Sequence, residues 1–325
     1  YCPSIEDKVI RFSDKPFHQL FIEPEWKNSK QIYLNGFSTS LPKETQVKAL
    51  KTIPSFKNIE LIRPGYAIEY DYLVPSQLKR NLESKTIPGL FSAGQINGTS
   101  GYEEAAAQGL IAGINAFNFN NKIPPFTLSR NEAYIGVLID DLTTKDINEP
   151  YRMFTASAEY RLLLRPDTAH LRLSKLASQN NTLTSNQYKN VMSFFDSYNE
   201  SVQLINLNKK KHKSLYNKIL RGDINYSEIG KLGEFKHINL EAIFSAETYF
   251  KYEGYIKREE ERLLKTKALE GKCIGIDFEY SKLLNLSNEA REKLTILKPE
   301  TLGQASRIAG VKPSDIASIA IAITK

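Results

Sequence analysis

The sequence contains little of what several classes of protein depend on. Its 325 residues include two cysteines, Cys2 and Cys273, which form no CxxC pair and no zinc-ligand spacing. We therefore expect no disulfide framework and no metal site, and a reducing compartment is favoured. No apolar run approaches the roughly 20 residues that cross a bilayer, so we expect no membrane span. The chain begins at Tyr1 without a signal-peptide pattern, which suggests a fragment or a processed product.

The familiar nucleotide-binding motifs are also missing. A glycine-rich stretch, FSAGQINGTSG, occupies residues 91–101. No lysine follows its glycines, which excludes a P-loop, and Gly94 and Gly98 are four residues apart, which excludes the GxGxxG fingerprint. Any cofactor contact made by this stretch must therefore be of another kind.

What the stretch does contain predicts a strand, a turn and a helix. Leu90–Ala93 is typical of a short buried strand, and Ser100 with Glu103 has capping-box spacing. The helix is predicted at 103–117, and small residues recur along one stripe of it, at Ala105, Gly109, Ala112 and Ala116. Such a turn aims free N–H groups and a positive helix end at one point, which suits an anion or a polar cofactor. A tight corner without any ligand is the alternative.

The charge is unevenly distributed. Hydrophobic residues make up 41% of the chain and charged residues 25%, which is ordinary for a globular protein. Residues 1–150 hold 16 Lys and Arg against 17 Asp and Glu, whereas residues 151–325 hold 28 against 20, so the net charge of +7 comes from the second part. A basic half suits an anionic polymer, and a solvated lysine-rich surface is the alternative.

Hydrophobic periodicity predicts an α/β part followed by a helical part. The strand candidates are Lys8–Phe12, Gln31–Leu34, Ile59–Ile62 and Ala67–Tyr70. Helices are predicted at Thr45–Ile53, at Asn239–Leu269, and as a short pair between Thr301 and Thr324 that Gly310 and Pro313 separate. We expect a partial α/β domain at 1–125, an arginine-rich connector at 126–174 and an α-helical domain at 175–325, with a terminal subdomain from about 250.

Arginine and aromatic residues alternate in the connector, in YRMFTASAEYRLLLRPD at 151–167. Arg161 and Arg165 would share one face if this segment were helical. Arginine suits phosphate contacts and aromatic rings stack on bases. Ion pairing with Glu159, Asp167 or Asp140 explains the arginines equally well. Asp140 and Asp141 end a buried run, AYIGVLIDDL, and are expected to cap or to pair with a nearby arginine.

Cys2 has two readings as well. A cysteine becomes a nucleophile when a nearby group lowers its pKa, but Glu6 and Asp7 would have the opposite effect unless a cation intervenes. A lone cysteine is more often a small buried hydrophobe.

Taken together, several stretches resemble one family. They are CPSIEDK, NGFSTSLP, RPGYAIEYD, LFSAGQINGTSGYEEAAAQGL, AYIGVLIDDL, EPYRMFT, AEYRL and TLGQASRI. They resemble the MnmG/GidA family, the flavin subunits of tRNA uridine 5-carboxymethylaminomethyl modification enzymes, and occur in that family's order. The resemblance implies a partial two-dinucleotide-binding-domain flavoprotein, with a Rossmann-like FAD domain followed by an all-α domain.

The resemblance also implies site residues. The glycine turn would supply the second FAD contact, through Gly94, Gln95, Asn97, Gly98 and Gly101. The first twelve residues would bind the nicotinamide dinucleotide, and they are Tyr1, Cys2, Pro3, Ser4, Ile5, Glu6, Asp7, Lys8, Val9, Ile10, Arg11 and Phe12. Cys2 would act in the chemistry. Arg152, Arg161 and Arg165 would contact RNA, and Glu289 would lie at the rim of a partner-binding surface.

The implied reaction installs a carboxymethylaminomethyl group on the wobble uridine of tRNA, with FAD, NADH and methylenetetrahydrofolate as the one-carbon donor. The implied partners are tRNA, a second copy of the chain and the GTPase MnmE, in a heterotetramer, and the compartment is the bacterial cytoplasm or an organelle matrix. A non-catalytic tRNA- or protein-binding fragment is the alternative, since the GxGxxG half is missing. The chain departs from the family pattern at Trp26, Ser157, Thr168 and His170.

Overall fold

The computed structural model describes residues 4–67, 69–145, 147, 149–211, 213–275 and 277–324. The chain divides into two compact units, residues 1–71 and residues 72–325, and each is described by itself. None of the described helices has the length and apolar character that crossing a membrane requires.

The first unit combines two short helices with one hairpin. Helix α1 spans Ile5–Arg11 and helix α2 spans Lys43–Lys51, with strands β1 at Phe21–Pro24 and β2 at Ile32–Asn35 between them. The two strands pair antiparallel, with Phe21 opposite Asn35. The prediction of β2 is confirmed, and so is that of α2 within two residues at each end.

The other strand predictions in this unit were wrong where the structure describes them. Residues 8–11 belong to α1, because Ser4 and Asp7 form a capping box that begins a helix there. Residues 59–62 form no strand, and neither do Ala67, Glu69 and Tyr70; Ile68 lies outside the described residues. Sequence alternation in short segments therefore did not lead to strands, because a strand also needs a neighbour to pair with.

The second unit is built from helices. They are α3 (Tyr102–Asn120), α4 (Tyr134–Thr144), α5 (Ala169–Gln179), α6 (Ser185–Lys211), α7 (Lys213–Arg221), α8 (Tyr226–Ile229), α9 (Leu240–Glu270), α10 (Asn288–Leu297), α11 (Leu302–Arg307) and α12 (Pro313–Ala322). The predicted helix at 103–117 and the long helix at 239–269 are both confirmed. Leu90–Ala93 is not a strand of a sheet, although Phe91 makes an isolated bridge to Glu83.

Three apolar clusters hold this unit together. One lies between α3 and α4 and contains Leu82, Ile111 and Ile139. The second is formed by α6 to α9 around Ile205 and Ile243. The third joins α10, α11 and α12, in which Leu294, Leu302 and Ile319 are fully buried.

The predicted C-terminal helix pair is confirmed in detail. Gly310, at φ +93°, follows α11, and Pro313 is the first residue of α12. The apolar residues of the pair pack on α10 and also on Leu269 near the end of α9, as expected for helices too short to be stable alone. The domain boundaries at 125/126 and 174/175 stay predictions, whereas an α/β part followed by a helical bundle agrees with the comparisons reported below.

Candidate functional site

The glycine turn has a backbone that only glycine accommodates without strain. Residues Gly94–Asn97 form one 3₁₀ turn, with Gly94 at φ +84° and Gly98 at φ +74°, both left-handed. A Cβ on Gly94 would lie 3.3 Å from the Ala105 side chain, and one on Gly98 would lie 3.3 Å from the ring of Tyr72. Both positions therefore combine a glycine conformation with a close approach.

A buried glutamine holds this turn from the side of the helix. Gln108 is fully buried, and its Oε1 accepts hydrogen bonds from the Gly94 N–H at 3.1 Å and from Asn97 Nδ2 at 2.8 Å. Its Nε2 donates to Thr99 Oγ1 at 3.0 Å, and that hydroxyl donates to the Gly94 carbonyl at 3.0 Å. Sequence reasoning missed Gln108, whose signal was a long polar residue on the buried face of an otherwise apolar helix.

The start of α3 differs from the sequence prediction. Gly101, not Ser100, is the N-cap residue, and no side chain caps the helix. Glu104 turns back over Gly101, so closely that a Cβ on Gly101 would lie 1.7 Å from its carboxylate. With Glu103 in the same turn, two carboxylates already oppose the positive helix end. This end therefore suits an uncharged polar group better than a phosphate.

The small-residue stripe of α3 is divided between two environments. Ala112 is buried, and Ala105 lies against Gly94, but Gly109 and Ala116 are exposed. The expectation that the stripe forms one buried face was therefore wrong for this chain.

The connector runs alongside the glycine turn. Tyr151 forms a parallel bridge with Thr99: its N–H donates to the Gly98 carbonyl at 2.8 Å, and its carbonyl accepts from the Ser100 N–H at 3.1 Å. Two residues on, the Met153 N–H donates to Glu104 at 2.9 Å. The Tyr151 hydroxyl donates to Asp141 at 3.0 Å. Burial, and then the Asp141 carboxylate, raise the pKa of Tyr151 well above its ordinary value, so this hydroxyl stays a donor.

Of the residues assigned to FAD, Gln95 is exposed at the outer side of the turn, as is Ser100. Asn97 is fully buried, and its amide is used within the turn, since Nδ2 donates to the Ser92 carbonyl at 2.9 Å and Oδ1 accepts from Ser92 Oγ at 2.7 Å. Asn97 thus shapes the turn, whereas Gln95 is placed where a ligand can reach it.

The segment assigned to the nicotinamide dinucleotide lies in the first unit. Tyr1, Cys2 and Pro3 lie outside the described residues, and Ser4–Arg11 form the cap and body of α1. Lys8 Nζ donates to the Gly36 carbonyl at 2.9 Å, and Thr39 donates to the Glu6 carboxylate. Burial raises the pKa of Glu6, but the hydrogen bond from Thr39 and its other donors outweigh burial and lower it.

The three arginines assigned to RNA are not equivalent. The segment 151–167 contains two single 3₁₀ turns and no α-helix, so Arg161 and Arg165 do not share a helix face. Arg165 is half-buried and pairs with Asp167 at 3.0 Å, which is the ion-pair alternative. Arg161 is exposed, and so is Arg152, beside the glycine turn.

The paired acids Asp140 and Asp141 form a buried ion-pair network, as predicted. Arg130 Nη1 donates to Asp141 at 2.6 Å and to Asp140 at 3.1 Å, and Arg130 Nη2 donates to Glu159 at 2.8 Å. Arg307 from α11 completes the network at Asp140. No group of histidine, cysteine and carboxylate side chains within the described ranges has the arrangement of a metal site.

Glu289 occupies the first turn of α10 and is exposed. It pairs with Lys293 at 2.9 Å, which lowers the pKa of its carboxyl. A Cβ on Gly310 would lie 2.2 Å from this carboxylate, so Glu289 lies directly against the turn between α11 and α12.

Comparison with known proteins gives two family matches. The model of "Glucose inhibited division protein A" matches residues 1–124. That of the "tRNA modifying enzyme MnmG/GidA C-terminal helical bundle" matches residues 263–325.

Individual relatives agree with these matches. The tRNA uridine 5-carboxymethylaminomethyl modification enzyme MnmG of Karelsulcia muelleri is 48% identical over 100% of this chain and 55% of its own length. The MnmG of Heliobacterium modesticaldum is 46% identical over 99% of the chain and 54% of its own length. The solved structure of Aquifex aeolicus GidA in its form II crystal superposes with a TM-score of 0.80 at 43% identity, covering 100% of this chain and 55% of that one.

The chain thus spans about half the length of the curated relatives it matches. The two family matches lie at the α/β part and at the terminal helices, and the identity extends over the whole chain between them. The fold class expected from the sequence agrees with these relatives. On this basis, the chain belongs to the MnmG/GidA family.

Proposed function

We propose that this chain forms the second flavin contact and the RNA-binding part of an FAD-dependent enzyme that installs a carboxymethylaminomethyl group on the wobble uridine of tRNA. The observation that carries the proposal is the Gly94–Ser100 turn, held by Gln108 and paired with the arginine-bearing segment at residues 151–153. The relatives named as tRNA uridine modification enzymes support this function over a non-catalytic binding fragment.

The residues of the turn fit a flavin. Gly94 and Gly98 leave the backbone uncovered, Gln95 offers an exposed amide, and the carboxylates at the start of α3 disfavour a phosphate there. We assign to Gln95 and the backbone from Gly98 to Gly101 the recognition of an uncharged edge of the flavin. The bound flavin would supply the redox chemistry of the reaction.

The first twelve residues are proposed to meet the nicotinamide ring of NADH, with Cys2 as a nucleophile. Cys2→Ser keeps the size of the side chain and removes the thiolate, so we expect it to abolish tRNA modification while flavin content and melting temperature stay unchanged. Modification at the normal rate would return Cys2 to a structural role. Methylenetetrahydrofolate is the proposed one-carbon donor.

The assembly is proposed to be a homodimer that forms a heterotetramer with the GTPase MnmE, in a bacterial cytoplasm or an organelle matrix. The exposed Glu289 at the α11–α12 turn is the proposed rim of the GTPase surface. Deleting residues 299–325 would be an unclear test, because Leu302 and Ile319 belong to the apolar core. Glu289→Lys is cleaner: we expect loss of co-purification with the GTPase at unchanged stability.

The flavin assignment is tested on the protein expressed from its complete reading frame. Gly98→Val places a branched side chain at φ +74° against Tyr72, so we expect the purified variant to lose its flavin absorbance. Gly109→Ala is the matched control, because a Cβ there meets nothing within 4 Å. Full flavin absorbance in Gly98→Val would refute the assignment. RNA binding without flavin in the wild-type protein would favour the non-catalytic alternative.

A further inference from the structure

The connector presents two side chains outward next to the glycine turn. Residues 151–154 are extended, and their side chains alternate between two sides, as in a strand. Tyr151 and Met153 point inward, since Tyr151 reaches Asp141 and Met153 packs against the cluster of Val137, Ala158 and Leu164. Arg152 and Phe154 therefore share the outer side.

The structure distinguishes Phe154 from the other aromatic residues of this segment. The ring of Phe154 is 55% exposed, whereas Tyr160 is buried and the hydroxyl of Tyr151 is engaged by Asp141. Arg152 is exposed, whereas Arg165 is engaged by Asp167. A cation and an aromatic ring two positions apart on one side of an extended chain are the combination that holds single-stranded nucleic acid.

The position of this pair is fixed relative to the turn. Backbone hydrogen bonds join Tyr151 to Gly98 and Ser100, and Glu104 holds the N–H of Met153. Arg152, between these two anchors, cannot move away from the turn without breaking them. The pair is therefore held within one strand spacing of the backbone to which we assign the flavin.

We infer that Arg152 and Phe154 form the subsite for the nucleotide that is modified, with the Phe154 ring stacked on its base and the Arg152 guanidinium on its phosphate. The inference rests on the proposed function and adds a residue, Phe154, and a division of roles. Bases in RNA loops are unstacked and available to aromatic rings. A stacked base leaves its edge open to the glycine turn, which places the reacting carbon beside the proposed flavin.

The two roles give different signatures in RNA binding. The probe is an anticodon stem-loop RNA with uridine at the wobble position, titrated by fluorescence anisotropy at several salt concentrations. We expect Phe154→Leu to weaken binding about 5- to 100-fold with an unchanged salt dependence, because stacking is not ionic. We expect Arg152→Ala to reduce the slope of log K against log salt by about 1, because one phosphate contact is lost. Phe154→Tyr keeps a stacking ring and should bind as the wild type does.

Two exposed residues on α9 serve as matched controls. Phe244→Leu and Arg262→Ala remove the same side chains at a distance from the turn and should leave affinity and salt slope unchanged. A stem-loop carrying 5-iodouridine at the wobble position should in addition form a photocrosslink at residue 154 in the wild type.

The outcomes separate the two proposals. Wild-type RNA binding that is the same in Phe154→Leu and Arg152→Ala would overturn the subsite and leave the proposed function intact. A crosslink elsewhere in the chain would also overturn the subsite. No preference of the wild-type protein for the anticodon stem-loop over an unrelated RNA would contradict both.

Discussion

Arg307 donates two hydrogen bonds to Asp140, from Nε at 2.9 Å and from Nη2 at 3.1 Å, and so joins α11 to α4. Asp140 is almost fully buried and also accepts from Arg130. Arg130 carries its charge readily, because Asp141, Glu159 and Asp140 outweigh the effect of burial and raise its pKa. The terminal helices are therefore tied to the connector by charge as well as by apolar packing.

Removing Arg307 should destabilise the protein. In Arg307→Ala, Asp140 keeps only part of its compensation, so we expect the free energy of unfolding to fall by about 2–4 kcal/mol. Urea denaturation measures this difference, and Arg262→Ala, exposed on α9, should change it by less than about 0.5 kcal/mol. Equal stability of both variants would show that the pair only breaks even against its desolvation.

Gln108 and Gln95 should behave in opposite ways. Gln108→Ala leaves the Gly94 N–H, the Asn97 amide and the Thr99 hydroxyl without their buried partner, which should cost about 2–4 kcal/mol of stability. Gln95→Ala removes an exposed side chain and should change stability by less than about 0.5 kcal/mol, while reducing flavin retention. Thermal unfolding together with flavin absorbance separates the two effects. A stable Gln108→Ala variant would refute the central role of Gln108 in the turn.

Two glycines of the same helix should respond differently to alanine. In Gly101→Ala the new Cβ displaces the Glu104 carboxylate, which also frees the Met153 N–H, so we expect a loss of about 1–3 kcal/mol. In Gly109→Ala the Cβ meets nothing within 4 Å, and alanine favours a helix by about 0.5–1 kcal/mol, so stability should rise. Denaturant midpoints of the two variants should lie on opposite sides of the wild type. A Gly101→Ala midpoint at or above the wild type would show that Glu104 relaxes without cost.

Asp315 should make the C-terminal helices sensitive to acid. Burial raises the pKa of its carboxyl, but the N–H groups of Lys312, at 2.9 Å, and Ser287, at 3.0 Å, outweigh burial and lower it. A depressed pKa contributes stability above the unfolded value of about 3.9, and this contribution is lost as the pH falls through the folded value.

The matched variant is Asp315→Asn, which cannot ionise. We expect the wild type to be more stable by about 1–3 kcal/mol at neutral pH, and this difference should shrink as the pH falls from about 5 to about 2. Urea denaturation at a series of pH values measures it. A difference that stays constant over this range would exclude ionised Asp315 as its source.

The sequence by itself determined the elements that are defined locally. Helix α3, the long helix α9 and the pair α11 and α12 follow from apolar periodicity and from glycine and proline at their ends, which act within a few residues. The same locality explains α1: the capping box of Ser4 and Asp7 is visible in the sequence, and it overrode the alternation that suggested a strand. Family membership also followed from sequence, because long motifs in a fixed order are specific.

Only the tertiary structure decided which side chains meet. Met153 and Glu104 are 49 positions apart and Arg307 and Asp140 are 167 apart, so no local pattern encodes either contact. Two equally plausible arginines in one motif were likewise separated by their surroundings, since Arg165 has Asp167 as its partner while Arg152 is exposed beside the glycine turn. The physical reason is that hydrogen bonds and ion pairs in a buried site depend on distances of about 3 Å, which are fixed by the packing of helices far apart in the chain.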